Sequence, residues 1–219
     1  MLVKFVAPYV ALLGSEFSVG VVLTLYSNSA VVGYYEAAGI PVAIAATGVV
    51  NLHHAAMRYD IGVYFESNGH GTIIFSDRVR RAMQGEGEAA EVMRCVYGLA
   101  HEMIGDAIPT AMIVPVILKA LKLKVMDWAR WWTDLPVFQS VVYVVDKGLM
   151  VTNADESKVV RPAAMQADID AARGTCRCFV RASGTEDLVR VFVEGEGGEE
   201  VRGLVEEVVR LHCGARSKM

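Results

Sequence analysis

The sequence predicts an α/β protein in two parts, a layered βαβ domain followed by a small α+β domain, and three observations carry that reading. Short runs of β-branched and aromatic residues alternate with helix-like stretches between Val19 and Phe75. Pro136 then closes an aromatic segment, and strand-like runs interrupted by one helix follow it. Finally, 219 residues with 53% apolar content and a mean hydropathy of +0.35 suffice for a buried core and exclude a disordered or collagen-like chain.

The first run, Met1 to Gly14, carries one positive charge and an apolar stretch, the beginnings of a signal peptide. Pro8 interrupts it and Gly14-Ser15-Glu16 is a poor cleavage site, so it reads instead as the last turns of a core helix. Strand-like Val19 to Tyr26 precedes a helical stretch from Ala30 to Ala38. Pro41 to Ala45, a helical Val49 to Arg58 and Ile61 to Phe65 complete the alternation. The polar segment Glu66-Ser67-Asn68-Gly69-His70-Gly71 leads to Thr72-Ile73-Ile74-Phe75, and its Asn-Gly pair suits the positive φ of a tight reversal, so it is expected at a hairpin tip.

After the loop at Gly85 to Glu88, the spacing of Val92, Val96, Leu99 and Met103 predicts one buried helical stripe ending near Gly105. A second helix is expected from Pro109 or Thr110 through Leu118 and Leu121, with Pro115 tolerated only within its first turn or at a kink. Trp128, Trp131 and Trp132 read as packing at a domain junction, with the boundary at Thr133-Asp134-Leu135-Pro136. Beyond it we expect strands at Val137 to Val145 and Leu149 to Thr152 and a helix after Pro162. Strands at Cys176 to Val180 and Leu188 to Glu194 follow, then a helix burying Val201, Leu204, Val205, Val208 and Leu211. The acids of Gly195 to Glu200 open that helix at its positive end.

Basic and acidic side chains number 21 and 25 and the pI is near 5.8, so the phosphate-neutralising surplus of a nucleic-acid binder is missing. No apolar run reaches the roughly 18 residues of a membrane span. The expectation is a soluble, cytoplasmic protein. The terminal Ser217-Lys218-Met219 differs by one residue from the Ser-Lys-Leu import address, which leaves a peroxisome-like (glycosomal) organelle as the alternative. The four cysteines, at 95, 176, 178 and 213, form no C-x-x-C pair and read as reduced structural thiols, Cys176 and Cys178 on one face of a strand. Adjacent His53 and His54 point about 100° apart on a helix, so they read as core or surface histidines rather than as a ligand pair.

Two loops carry chemistry. Glu66, Asn68 and His70 bring a carboxylate, an amide and an imidazole together, the donors and acceptors that a sugar's hydroxyl rim requires; a solvated polar turn is the alternative on spacing alone. Arg181-Ala182-Ser183-Gly184-Thr185-Glu186-Asp187 joins a guanidinium, two hydroxyls and a glycine, and Arg190 in the following strand can return to the same place. Such a set suits a phosphate, held by charge-assisted hydrogen bonds of roughly 1.5–3 kcal/mol each. It equally suits a surface hairpin whose arginines pair with Glu186 and Asp187.

The stretches Asp60 to Thr72 and Val180 to Val191 resemble the sugar-binding and phosphate-binding loops of the phosphoacetylglucosamine mutase family, a branch of the phosphohexomutases. The resemblance also takes in Thr47-Gly48 with Leu52-His53-His54, Gly105-Asp106-Ala107-Ile108, and Asp127-Trp128 to Pro136, in family order. It implies residues 1–18 resembling the end of a metal-binding domain, a sugar-binding α/β domain over 19–133 and a phosphate-binding α+β domain over 134–219. It further implies that Glu66, Ser67 and Asn68, with His70 nearby, hold the sugar and that Arg181, Ala182, Ser183, Gly184, Thr185 and Arg190 hold its phosphate. The expected ligand is N-acetylglucosamine 6-phosphate or 1-phosphate, on the route to UDP-N-acetylglucosamine.

In that family a phosphoserine loop and an Mg²⁺-binding Asp-rich loop perform phosphoryl transfer, and neither motif occurs in these residues. No catalytic residue and no metal ligand is therefore assigned, and Mg²⁺ is implied by the family without ligands here. Ala46 and Val50 stand where the family usually has lysines, and Ala182 where it usually has proline. The expectation is a phosphosugar-binding chain that is catalytically incomplete as it stands. The alternative is a non-catalytic phosphosugar-binding module or the partner of a separate N-terminal half.

Overall fold

The computed structural model describes residues 1–14, 16–66, 68–100 and 105–215, and the chain divides into two compact units, Met1–Thr133 and Asp134–Met219. Ser67, Met103 and the terminal Ser217-Lys218-Met219 lie outside the described residues.

The first unit runs α1 (Leu2–Leu13), β1 (Val19–Thr24), α2 (Ser29–Ala37), β2 (Val42–Ala45), α3 (Val49–Ala56), β3 (Ile61–Phe65), β4 (Gly71–Phe75), α4 (Asp77–Ala82), α5 (Glu88–Leu99), α6 (Ala107–Ala120) and α7 (Val125–Trp128). Its sheet has the order β2-β1-β3-β4, parallel except for β4, which returns antiparallel to β3. Strand alternation sorts the side chains onto two faces. Val21, Leu23, Ile61, Val63, Ile73 and Phe75 enter one core with residues of α1, α5 and α6, whereas Val22, Tyr64 and Ile74 meet Leu52 and Ala56 of α3.

On the α3 face, Gly20 and Gly62 stand side by side in register. A Cβ at Gly62 would lie 2.2 Å from the Ala56 carbonyl oxygen, and one at Gly20 2.4 Å from the Tyr59 ring, so the pair is what lets α3 approach the sheet.

The second unit runs β5 (Val137–Tyr143), a 3₁₀ turn (Lys147–Leu149), β6 (Val151–Thr152), β7 (Val159–Arg161), α8 (Ala163–Ala172), β8 (Arg177–Ala182), β9 (Leu188–Glu194) and α9 (Gly198–Cys213). Its antiparallel sheet has the order β5-β9-β8. Val180, Val189, Val191 and Val193 form the core with Met165 and Ile169 of α8 and Val205, Val209 and Cys213 of α9. Cys176 and Cys178 both belong to this core.

Four expectations need correction. The buried line of α5 runs through Ala90, Met93 and Val96, so Leu99 is exposed, and the helix stops there rather than near Gly105. Helix α6 begins before its prolines because the Asp106 carboxylate accepts the Ile108 N–H at 2.7 Å and caps it. In α9 the core contacts at Val205, Val209 and Cys213 turn Leu204 and Leu211 to solvent. The strand expected over Leu149 to Thr152 is only Val151–Thr152, because residues 147–149 close a 3₁₀ turn capped by the Asp146 carboxylate at 2.7 Å. Short elements without a long apolar period, α4, α7 and β7, escape sequence reading altogether.

Candidate functional site

The Glu66 to His70 segment closes the β3–β4 hairpin. The Glu66 N–H donates to the His70 carbonyl at 2.7 Å and the Gly69 N–H to the Glu66 carbonyl at 2.9 Å, with Gly69 at φ +88°. Asn68 is turned inward on the loop: its Oδ1 accepts the His70 N–H at 2.9 Å, and its Nδ2 donates to Glu66 Oε2 at 3.4 Å. The structure therefore brings Glu66 and Asn68 together and leaves the His70 side chain exposed. Gly71 fixes the loop's base. Its φ is +155°, its N–H donates to the Gly105 carbonyl at 3.0 Å, and a Cβ there would lie 2.1 Å from the Tyr64 oxygen. The Gly105-Asp106 pair thereby ties the start of α6 to the hairpin.

Nearby in sequence, His53 Nδ1 lies 3.1 Å from the Tyr64 hydroxyl and its ring packs edge-on against Tyr64, while His54 is exposed. Burial raises the Tyr64 hydroxyl above its ordinary pKa, so it remains a neutral partner for the imidazole. Val50, at the lysine position of the resembled family, is an exposed apolar side chain on α3. Trp131 and Trp132 pack against Tyr34, and Lys4 sits over the Trp131 ring 4.7 Å from its centroid while its Nζ donates to the Tyr34 hydroxyl at 2.7 Å. These two tryptophans are anchored in the first unit.

In the second unit the β8–β9 pairing sets three cross-strand pairs on the face opposite the core shared with α8 and α9: Arg177 with Glu194, Phe179 with Phe192, and Arg181 with Arg190. At one end Arg177 Nη2 donates to Glu194 Oε2 at 2.8 Å; the Phe179–Phe192 rings stack at 4.8 Å in the middle. At the loop end two guanidinium groups emerge from directly opposed positions. Like charges so placed repel one another, and an anion relieves the repulsion. Glu156 supplies such an anion: its Oε1 accepts the Arg181 Nε–H at 2.8 Å.

The connecting loop is held from within and from beside. Ser183 is 6% exposed, its N–H donates to the Leu188 carbonyl at 2.9 Å, and its Oγ accepts the Glu186 N–H at 3.4 Å. Lys147 Nζ donates to the Gly184 and Glu186 carbonyls at 3.3 and 3.0 Å. Gly184 and Thr185 are exposed at the tip, whereas Ala182 packs against the hydrophobic core. Sequence reading missed Glu156 and Lys147, which lie 25 and 37 residues from the groups they touch, and no local pattern marks either.

Among the described residues, no group of three or more His, Cys, Asp or Glu side chains is placed to hold a metal ion, so the Mg²⁺ implied by resemblance finds no fitting donor set there. Among the same residues, no helix is long and apolar enough to cross a membrane.

Two family models together match most of the chain. A family model described as phosphoacetylglucosamine mutase AMG1, domain III, matches residues 1–123, and one described as phosphoglucomutase/phosphomannomutase, C-terminal domain, matches residues 143–211. The phosphoacetylglucosamine mutase of Saccharomyces cerevisiae is 38% identical over 222 residues, covering 94% of this chain and 40% of its own length. A crystal structure of N-acetylglucosamine-phosphate mutase in its substrate complex superimposes with a TM-score of 0.87 at 35% identity, over 96% of this chain and 42% of that one. The Aspergillus fumigatus N-acetylphosphoglucosamine mutase in complex with GlcNAc-6P and magnesium gives 0.86 at 33% identity, over 96% of this chain and 43% of that one. The chain thus spans well under half the length of the relatives it matches.

Proposed function

This chain belongs to the phosphoacetylglucosamine mutase family, within the phosphohexomutases, and from that premise we propose that it binds N-acetylglucosamine 6-phosphate and its 1-phosphate isomer in the formation of UDP-N-acetylglucosamine. The observation that carries the reading is the opposed Arg181–Arg190 pair at the mouth of a loop braced by Lys147 and Ser183. Two guanidinium groups in fixed register present forks to a phosphate, and the exposed Gly184-Thr185 tip adds a hydroxyl and backbone N–H groups. In the first unit Glu66 offers carboxylate oxygens to sugar hydroxyls, and Ser67, Asn68 and His70 complete the loop.

The role proposed is binding and orientation of the phosphosugar. No phosphoryl-transfer step is assigned to these side chains, whose proposed part is to hold and neutralise the phosphate already on the sugar. Calorimetric titration of N-acetylglucosamine 6-phosphate into the chain and into Arg181→Ala and Glu66→Ala variants tests the reading. Loss of one charge-assisted contact of roughly 1.5–3 kcal/mol weakens binding by about tenfold or more. Absence of binding by the unaltered chain, or unchanged binding by both variants, overturns the assignment.

A further inference from the structure

The partner that Arg181 already has points to a residue outside every motif discussed so far, and the inference rests on the reading of the Arg181 loop as a phosphate site. Glu156 lies in the β6–β7 connection and is a non-glycine residue at φ +66°, a conformation that side chains disfavour. The turn that imposes it is tightly tied. The Glu156 N–H donates to the Asn153 carbonyl at 3.0 Å, Asn153 Oδ1 accepts the Lys158 N–H at 3.0 Å, and Asp155 Oδ1 accepts the Ser157 N–H and hydroxyl at 3.0 and 2.7 Å. Strain held in place by so many bonds singles out what the strained residue does. Its carboxylate sits on Arg181, with both side chains about four-fifths shielded from solvent (24% and 21% exposed).

We propose that Glu156 is the built-in counterion of the phosphate cradle, holding Arg181 in the ligand-free chain and competing with the incoming phosphate. A carboxylate and a phosphate present the same kind of acceptor oxygen to a guanidinium. When phosphate arrives, the fixed negative charge of Glu156 opposes a dianion, and this subtraction falls on inorganic phosphate and phosphosugar alike. Contacts to the sugar add to the phosphosugar alone, so Glu156 sets the affinity of the phosphate cradle, weakening both ligands by the same factor and leaving discrimination between them to the sugar contacts.

The test titrates inorganic phosphate and N-acetylglucosamine 6-phosphate by calorimetry into the unaltered chain, Glu156→Gln and Arg181→Ala, with the melting temperature of each. Glutamine keeps the shape and an acceptor oxygen for the Arg181 Nε–H but removes the charge. A unit charge about 7 Å from a dianion in a solvent-like dielectric, partly screened by salt, corresponds to roughly three- to tenfold. Glu156→Gln is therefore expected to bind both ligands three- to tenfold more tightly while melting lower without ligand, and Arg181→Ala to bind at least about tenfold more weakly.

A merely structural Glu156 lowers the melting temperature with no gain in affinity. Unchanged or weaker binding by Glu156→Gln, with Arg181→Ala still impaired, overturns the counterion and leaves the phosphate site standing. Arg181→Ala binding like the unaltered chain overturns the phosphate site itself. Should Glu156→Gln fail to fold, the Arg181 Nε–H resonance of the unaltered chain decides: it shifts as phosphate saturates if Glu156 is displaced, and a resonance unmoved at saturation overturns the proposal.

Discussion

Gly71→Ala is the sharpest perturbation of the first unit. The residue combines a φ of +155° with no room for a side chain, since its Cβ would stand 2.1 Å from the Tyr64 carbonyl oxygen and 2.6 Å from the Phe65 Cα. Those neighbours are backbone of the paired strand, so relief requires β3 and β4 to separate where Phe65 faces Gly71. A glycine-only conformation costs about 1–3 kcal/mol and forced overpacking about 1–3 kcal/mol, which together give about 2–6 kcal/mol.

All three tryptophans lie in the first unit, so their fluorescence during urea unfolding reports that unit. With a slope of about 2 kcal/mol/M, the fluorescence midpoint falls by about 1–3 M. Gly33→Ala is the control: Gly33 is in α2, a Cβ there meets nothing within 4 Å, and the substitution raises the midpoint by a few tenths of a molar, from about 0.5–1 kcal/mol of helix stabilisation. A Gly71→Ala midpoint within about 0.5 M of the unaltered chain would refute the argument, because the hairpin would then have relaxed without cost.

Acid sensitivity and thiol reactivity supply two further predictions. Burial pushes the Asp60 carboxyl up, but hydrogen bonds from the Ser18 N–H and from the Ser76 and Ser18 hydroxyls, with Arg78 nearby, hold it below its ordinary value. Its stabilisation is therefore complete above the unfolded carboxylate value of about 4 and is lost as pH falls through the lower folded value. Asp60→Asn is expected to lower the urea midpoint at pH 7 and flatten the decline below pH 4; a decline as steep as the unaltered chain's contradicts this. Among the cysteines, Cys95 is exposed, Cys176 and Cys213 are buried, and burial pushes the Cys178 thiol up to about 12, so little thiolate forms there. Brief native iodoacetamide treatment followed by peptide mass mapping should find Cys95 alkylated and the others spared. Comparable labelling of Cys178 contradicts the buried-thiol account.

What was legible in the sequence follows from what is local. Runs such as Ile61–Phe65 and Leu188–Glu194 announce strands because alternation and β-branching act over a few residues, and the return of Arg190 to Arg181 follows from an antiparallel hairpin. The family resemblance and the α/β class are seen equally in the fold and in the matched relatives. Two features were hidden because their causes are not local, and a third was missed although its cause is local. The Gly20–Gly62 pair matters only once β1 and β3 lie in register under α3. The missed one is the start of α6, which the Asp106 carboxylate sets by capping Ile108 ahead of Pro109, a residue that the first turn tolerates. The charge balance of the Arg181 loop depends on Glu156 and Lys147, which reach it from other turns of the second unit.

The central claim is that the Arg181 loop holds the phosphate of a phosphosugar, and a crystal structure of this chain with N-acetylglucosamine 6-phosphate tests it most directly. The account predicts phosphate oxygens within hydrogen-bond distance of the Arg181 guanidinium, with Arg190 alongside and Glu156 displaced from Arg181 Nε. A phosphate bound at another surface, with Arg181 still held by Glu156, would contradict it.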